Sequence, residues 1–291
     1  MSDRLYRFLF ENADVRGELV QLDSVYRELT RRADYPPVVN RLLGEALAAA
    51  ALLTATLKFR GRLVMQIQSS GPLTMLVVQA SSDGGMRAMA RYNAEVPDAT
   101  LDEQARDGAL AITLEPDDDT QRYQGIVDLA PGSLAAALEK YFRESEQLDT
   151  RVWLSAAEGR AGGMLLQRVP AREDANTDTD AWARSGHLAE TITARELLYL
   201  DVSQILRRLF HEEDIRLFDP MPLRFQCRCS RENVGAMIAS LGPEEVRSIV
   251  AEQGGVEVHC DFCNAAYHFD PVDAEQLLAD PSAPPPSDTQ H

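Results

Sequence analysis

The chain of 291 residues is 45% hydrophobic and 26% charged, and its formal net charge at pH 7 is −17. These fractions are typical of a folded globular protein, and the length predicts two or three structural units. The acidic field excludes broad attraction to nucleic-acid phosphates or to anionic membranes, and the sequence holds no local Lys/Arg cluster, so we expect no partner of either kind.

The beginning of the chain indicates where the protein works. Its first twenty residues carry a charged side chain every few positions, a pattern that excludes a secretory signal. The longest apolar run, residues 46–57, is too short to span a membrane and is predicted to be a buried helix. We therefore expect a cytoplasmic protein. In that reducing compartment, clustered cysteines indicate metal binding or redox chemistry rather than structural disulfides.

Residues 1–172 are predicted to form an α+β core domain in which helices pack on an antiparallel sheet. Consecutive strand-like stretches joined by short polar turns favour antiparallel pairing. The predicted strands are residues 62–68, 74–79, 86–92, 109–114 and 123–129. The predicted helices are residues 36–57 and 133–142, and Ser133 is the predicted N-cap of the second.

The polar, turn-rich stretch 171–186 is the predicted domain boundary, and residues 173–226 are predicted to form a helical linker. Thr193 with Glu196, and Asp201 with Gln204, have the spacing of capping boxes before short apolar helices. Helices this small must dock on another element to be stable, and that docking is either permanent or conditional. At the other end of the chain, residues 276–291 are predicted to be a disordered tail because of their Pro and Ser content.

All four cysteines lie in the last quarter of the chain. Cys227 and Cys229 form a C-x-C pair, thirty residues follow, and Cys260 and Cys263 form a C-x-x-C pair. Zinc prefers four soft ligands arranged as a tetrahedron, and two close pairs supply them. We predict that these four thiolates bind one Zn²⁺. The histidines His259 and His268 are alternative ligands that four available thiols make unnecessary.

Residues 227–275 are predicted to be a small zinc-binding domain. Ser230 is the predicted N-cap of a helix that ends at Gly242, Pro243 begins a second helix, and a hairpin carries Cys260 and Cys263 at its turn. Large apolar side chains are few, and domains of this size often require a metal to fold.

Oxidation has two possible consequences for such a domain, and the pairing of the cysteines decides between them. Disulfides within each pair would close very short loops and leave the two segments untied, whereas disulfides across the cluster would keep the tie. The first outcome unfolds the domain, and the second preserves it. A structural zinc that never undergoes redox chemistry is the third alternative that the spacing leaves open.

The sequence resembles the 33 kDa chaperonin family, the redox-regulated bacterial heat-shock holdases. The resemblance includes both cysteine motifs, FQCRCSRE at 225–232 and HCDFC at 259–263. It extends over essentially the whole chain, through residues 8–12, 15–19, 52–72, 122–126, 145–148 and 162–167.

This resemblance implies a chaperone that is inactive while it is reduced and zinc-bound. It implies that oxidation releases zinc and forms two redox-active disulfides, Cys227 with Cys229 and Cys260 with Cys263. It further implies that the linker then unfolds and that a homodimer holds unfolding client proteins without ATP. The sequence contains no G-x-x-x-x-G-K-[ST] phosphate loop, which agrees with ATP independence. No client-binding residue is assigned.

Three other functions compete with this interpretation. An enzyme is disfavoured because nucleophilic-serine and H-E-x-x-H motifs are absent from the sequence and because four thiolates close the coordination shell of zinc, so we assign no catalytic residue. A thiol–disulfide oxidoreductase is disfavoured because the C-x-x-C motif lacks a thioredoxin-like strand-to-helix context. A zinc-ribbon adaptor that binds nucleic acid is disfavoured by the acidic charge.

Overall fold

The computed structural model describes residues 3–56, 60–93, 95–118, 121–129, 132–170, 178 and 180–279. The chain divides into two compact units, Met1–Gln226 and Cys227–His291. Both units combine helices with antiparallel strands, which confirms the predicted α+β class. The predicted boundary at 171–186 falls largely on residues outside those described, and the separation of a 173–226 linker from a 1–172 core stays a prediction.

The first unit contains two sheets of six strands each. In chain order its strands are β1 (Arg4–Phe10), β2 (Val15–Leu22), β3 (Gly61–Gln68), β4 (Leu73–Ser81), β5 (Gly85–Tyr92), β6 (Ala109–Pro116), β7 (Tyr123–Asp128), β8 (Thr150–Ala157), β9 (Arg160–Arg168), β10 (Ile215–Leu217), β11 (Met221–Pro222) and β12 (Arg224–Phe225). The first sheet has the order β10-β1-β2-β9-β8, with β11 also paired to β1, and the second has the order β12-β5-β4-β3-β6-β7. All pairings are antiparallel except the short parallel pair of β12 with β5.

The helices of the first unit are short, except for α2. In chain order they are α1 (Ser24–Arg32), α2 (Pro37–Ala55), α3 (Leu101–Gln104), α4 (Leu134–Tyr141), α5 (Ala181–Ala189), α6 (Ala194–Tyr199) and α7 (Val202–Phe210). A single π-helical turn, Phe142–Glu146, follows α4 directly. Ser133 caps α4 as predicted, because its hydroxyl accepts the Ala136 N–H.

Helix α2 is the centre of the first unit. It packs against strands of both sheets, and its leucine and alanine side chains are buried from Leu42 to Leu53. A helical stretch that is apolar on all sides, as residues 46–53 are, must be buried within a protein or span a membrane. Its length and composition would allow it to cross a membrane, but 78% of its most apolar window is buried inside this unit. It is therefore the core helix that the sequence predicts.

The first sheet is covered on both faces. On one face, Val20 and Leu165 belong to the core around α2, and on the other face Leu19, Met164 and Leu166 pack against α5–α7. For this reason β9 is buried almost along its whole length instead of alternating between buried and exposed positions. Neither β2 nor β9 was predicted as a strand from the sequence, since that alternation is missing in both.

Helices α5–α7 are held on the sheet by an aromatic cluster and by hydrogen bonds from a side chain of the sheet to main-chain carbonyls of the helices. The ring of Phe210 meets the ring of Phe10 edge-on at 5.2 Å and lies 6.3 Å from that of Phe8. The Gln21 side-chain amide donates to the carbonyls of Leu197, at 3.1 Å, and Leu200, at 2.7 Å. Helices α5–α7 are thus attached to the first sheet through side chains on the sheet's outer face.

The two predicted capping boxes begin α6 and α7. The Thr193 hydroxyl accepts the Glu196 N–H at 3.2 Å, and the Glu196 carboxylate accepts the Thr193 N–H at 2.9 Å. Asp201 donates its N–H to the Gln204 side chain at 3.2 Å. These bonds satisfy N–H groups that have no partner within the helix, so α6 and α7 are stabilised locally as well as by docking.

Glu18 is a buried carboxyl group in the first sheet and makes stability depend on pH. It is 2% exposed, and its Oε2 atom has no hydrogen-bond partner among the described residues. Burial raises its pKa to about 7, although Arg16 and Arg7 act in the opposite direction. Because the pKa is higher in the folded state than in the unfolded chain, the stabilisation from the neutral form is complete below the unfolded-state pKa and is lost as the pH rises through 7.

We therefore expect Glu18→Gln to stabilise the first unit at pH 8 by up to about 3 kcal/mol relative to the parent protein, and to flatten the decline in stability between pH 5 and 8. Urea unfolding at several pH values measures this effect. Glu144→Gln, which removes the same charge at an exposed position, is the matched control. An unchanged pH profile in Glu18→Gln would contradict the assignment of the decline to this carboxyl group.

The second unit is small and has a correspondingly small core. Its elements are α8 (Arg231–Ser240), α9 (Pro243–Gln253), β13 (Val256–His259), β14 (Ala266–Phe269) and α10 (Pro271–Ala279). Its buried apolar side chains are Val234, Ile238, Val246, Val256, Phe269 and Ala274. The two helices and the hairpin predicted from sequence are present, with Ser230 as the cap of α8 and Gly242, at φ 89°, between α8 and α9.

Helix α10 was not predicted from the sequence. It extends through Ala279 and so includes four residues of the predicted disordered tail, 276–291. The reason is that Leu277 and Leu278 pack against the small core of this unit. Residues 280–291 lie outside the described part of the chain.

Candidate metal centre

The structure brings the four cysteines together. Cys227 and Cys229 lie in the extended segment before α8, and Cys260 and Cys263 lie in the turn of the β13–β14 hairpin. All four sulfur atoms are within 4.8 Å of one another. Two contacts join the segments: the Cys227 and Cys260 sulfurs are 3.6 Å apart, and the Cys229 and Cys263 sulfurs are 3.2 Å apart.

The beginning of α8 positions the first pair. The Ser230 hydroxyl accepts the Asn233 N–H at 3.1 Å and so begins the helix immediately after Cys229. The Asn233 side-chain amide donates to the carbonyl of Arg228, the residue between the two cysteines, at 2.9 Å. The C-x-C segment is therefore anchored to the first turn of a helix, which limits the directions its two sulfurs can take.

A tight hairpin turn positions the second pair. Cys260 donates its N–H to the Ala265 carbonyl at 3.0 Å, and the Cys260 carbonyl accepts the Asn264 N–H at 2.7 Å. Asn264 has a φ of 55°, a left-handed conformation that asparagine tolerates better than most residues. These bonds direct the backbone around the turn so that both thiols lie on the same side.

The donor set fits zinc. A tetrahedron with Zn–S bonds of about 2.3 Å has sulfur–sulfur edges of about 3.8 Å. The two measured distances of 3.2 and 3.6 Å and the upper limit of 4.8 Å bracket that edge. Among the described residues the cluster contains thiols alone, and His259 instead contacts Glu257 at 3.0 Å. Four thiolates would complete the shell without a histidine.

The thiols differ in how readily they ionise. Burial acts to raise the pKa of Cys227, but hydrogen bonds from the Cys229 N–H and from the neighbouring thiols outweigh it and lower that pKa to about 7. At Cys263, which is 6% exposed, burial dominates and raises the pKa. A thiolate is the form of cysteine that attacks oxidants, and the lowered pKa favours that form at Cys227.

Sequence reasoning found the four cysteines and missed the side chains that hold them in place. Asn233 supports the C-x-C segment, and Asn264 allows the turn that carries Cys260 and Cys263. Asparagine just inside a helix, and asparagine directly after a C-x-x-C motif, were the available signals, because asparagine favours helix starts and left-handed turns.

The fold and the cysteine cluster define a two-unit α+β protein whose C-terminal module gathers four thiols into a zinc-compatible centre. A family model described as Hsp33 protein matches residues 3–270. The chain belongs to the Hsp33 family of chaperones.

Relatives match over nearly their entire lengths. The 33 kDa chaperonin of Methylobacillus flagellatus is 48% identical, with 100% of this chain and 99% of the relative covered. The 33 kDa chaperonin of Azotobacter vinelandii is 49% identical, with 99% of each chain covered. The crystal structure of the 33 kDa chaperonin from Thermotoga maritima has a TM-score of 0.78 and 22% sequence identity, covers 95% of this chain and 98% of its own, and has the same fold.

Proposed function

We propose that this protein is a cytoplasmic, redox-regulated, ATP-independent holdase of the stress response, without enzymatic activity. In this proposal it is inactive while reduced and zinc-bound, and oxidation converts it to a homodimer that binds unfolding proteins. The observation that carries the proposal is the convergence of four sulfurs, from two segments separated by thirty residues, within 4.8 Å in a unit with a small core.

The cysteine cluster supplies the tie that this small core lacks. A bound zinc cross-links the C-x-C segment to the hairpin, and structural sites of this kind contribute about 10–16 kcal/mol of apparent binding free energy. Without such a tie, six buried apolar side chains must hold three helices and a hairpin together. Units of this size seldom fold on so small a core.

Oxidation within each segment removes that tie. Cys227 pairs with Cys229, and Cys260 pairs with Cys263. In each pair the two thiolates give two electrons to one hydrogen peroxide, which takes up two protons and is reduced to two waters. The sulfurs lose the negative charge that makes them zinc ligands, and zinc is released. All four sulfurs lie within 4.8 Å of one another, so the cysteines of each segment are close enough to pair after a small movement. The resemblance to the family supports this pairing, and only this pairing separates the segments.

The release of α5–α7 is the second part of the proposed switch. The chain passes from α7 through β10, β11 and β12 into Cys227, and β12 pairs with β5 through only two residues. If the second unit unfolds, the two-residue pairing of β12 with β5 is the first strand pairing that the chain makes between Cys227 and α7. So short a pairing offers little resistance to further unfolding towards α7. Release of α5–α7 would uncover Phe8, Phe10 and Leu19 on the first sheet, apolar surface of the kind that binds unfolded chains.

Light scattering of a heat-unfolding client tests the proposal. One sample contains the reduced, zinc-loaded protein, the other contains protein treated with peroxide at elevated temperature, and a chromogenic chelator follows zinc release in both. We expect only the oxidised protein to suppress aggregation, in step with zinc release. Equal suppression by both forms would identify a constitutive chaperone with a structural zinc, and no suppression by either form would contradict the holdase function.

A further inference from the structure

The first unit contains a cavity of about 550 Å³ that has no part in the redox switch proposed above. It lies at one end of the space between the two sheets. Arg16 and Gln167 line it from the first sheet, Leu63 and Ile112 line it from the second, and Leu53 lines it from α2. Natural ligand pockets have volumes of about 300–1,000 Å³ and combine a mostly apolar lining with a few polar groups, a description that this cavity fits.

Arg16 and Gln167 form a polar wall of the cavity, and the other polar side chains in its lining are those of Thr56, Tyr141 and Glu146. The Arg16 guanidinium donates to the Gln167 side-chain oxygen through Nε, at 3.0 Å, and through Nη2, at 2.6 Å. Gln167 is 1% exposed, and its amide donates to the Thr150 hydroxyl at 2.8 Å. A cation at the cavity wall is thus held in place by a buried neutral amide, and its five N–H groups exceed the two used in these bonds.

The lining also offers accessible apolar surface. Leu114, Leu148 and Val169 line the cavity and are half-buried, whereas Leu53, Leu63 and Ile112 are almost fully covered. A ligand that satisfies this lining has one anionic group and an apolar tail.

A π-helical turn forms one side of the cavity. Phe142 begins this turn and is 4% exposed, and Glu146 ends it at the cavity's edge. The Glu146 carboxylate accepts the Tyr141 hydroxyl at 2.8 Å. Single π-helical turns occur frequently at functional sites, because the extra residue widens the helix and turns side chains out of their usual positions.

We propose that this cavity binds a medium-chain fatty acid, with the carboxylate at Arg16 and the alkyl chain against Leu114, Leu148 and Val169. The carboxylate accepts hydrogen bonds from the guanidinium, and the chain displaces water from the apolar lining. A single alkyl chain with a terminal carboxylate suits a site of this volume, whereas a phospholipid would have to place two chains and a headgroup in it.

Titration calorimetry of the full-length, reduced, zinc-loaded protein tests this assignment with decanoate as the ligand. We expect saturable binding of one decanoate per chain. From hexanoate to decanoate the affinity should increase about fourfold per methylene group. Decan-1-ol, which has the same chain without the charge, should bind about tenfold to a hundredfold more weakly than decanoate. Vesicles of dioleoyl phosphatidylglycerol, which present the same chain chemistry as a lipid, should not bind.

Three variants separate the cavity from other apolar surface. Arg16→Met should remove the preference for decanoate over decan-1-ol, and Leu114→Trp, at a half-buried position in the cavity lining, should fill the space and prevent binding of both. Arg143→Met is the control, because Arg143 is an exposed arginine on the π-helical turn. A cooperative thermal transition shows that each variant is folded. If Arg16→Met does not fold, Leu114→Trp and the comparison of acid with alcohol decide.

Several results would overturn the proposal. These are the absence of saturable decanoate binding, equal affinity for decanoate and decan-1-ol in the parent protein, undiminished binding in Leu114→Trp, and binding to vesicles alone. Because every measurement uses the reduced protein without a client, the outcome is independent of whether the protein acts as a redox-regulated holdase.

Discussion

Replacing Cys260 with serine is expected to weaken zinc binding by about 100-fold or more and to unfold the second unit under reducing conditions. A hydroxyl is a poor substitute for a thiolate, and the remaining three sulfurs cannot complete the tetrahedron. The unit then depends on its six buried apolar side chains, which include Val246 and Phe269. Zinc content after dialysis and resistance of the C-terminal segment to protease measure the effect.

His259→Asn is the matched control for this variant. His259 directly precedes Cys260 and is a potential zinc ligand, but its ring contacts Glu257 and lies outside the cysteine cluster. We expect this control to keep its zinc and its resistance to protease. If Cys260→Ser instead retained both properties, or if His259→Asn lost them, the assignment of four thiolates as the ligands would be wrong.

The second large effect is expected from Phe210→Ala. Phe210, the last residue of α7, is 2% exposed and packs against Phe8 and Phe10 of β1. Truncating a buried phenylalanine lowers stability by about 3–5 kcal/mol. That loss is a large fraction of the free energy that can attach three short helices to a sheet. On the proposed function, the reduced variant should release α5–α7 and suppress client aggregation without any oxidant.

Arg207→Ala tests whether this effect is specific to the buried face, because Arg207 is exposed on the same helix. This control should remain inactive while reduced. Limited proteolysis of the 178–226 region reports whether the helices are released, and zinc content reports whether the second unit is intact. Release of the helices in Phe210→Ala without any suppression of aggregation would contradict the view that this cover hides the client-binding surface.

Some elements could be predicted from the sequence because their pattern of apolar, polar and capping residues fits only one conformation and one degree of burial. Strand β3 alternates between buried and partly exposed side chains, and Ser230 precedes a helix with an N-cap hydrogen bond. Helix α2 was predictable because it is continuously apolar from Ala46 to Leu53. In each case, local chemistry and tertiary environment favour the same conformation.

Elements shaped by partners far away in the sequence were not predictable in the same way. Strand β9 is buried on both faces because α2 and α5–α7 cover it, so it shows no alternation. Strand β12 has only two residues, and its parallel pairing with β5 depends on a segment about 140 positions earlier in the chain. At the metal centre, residue type and spacing identified the thiols. The 3.6 Å distance between the sulfurs of Cys227 and Cys260 is a tertiary property.

The way in which α5–α7 attach to the first sheet has a consequence for hydrogen exchange. Strands β2 and β9 are joined by a ladder that runs from Val15 opposite Arg168 to Leu22 opposite Ala161, and the helices contribute nothing to that ladder. Departure of the helices therefore breaks side-chain contacts while leaving the hydrogen bonds between these strands intact. Amide protons of α5–α7 should exchange through local opening, whereas those of β2 and β9 should exchange only when the whole unit unfolds, in the oxidised protein as in the reduced one.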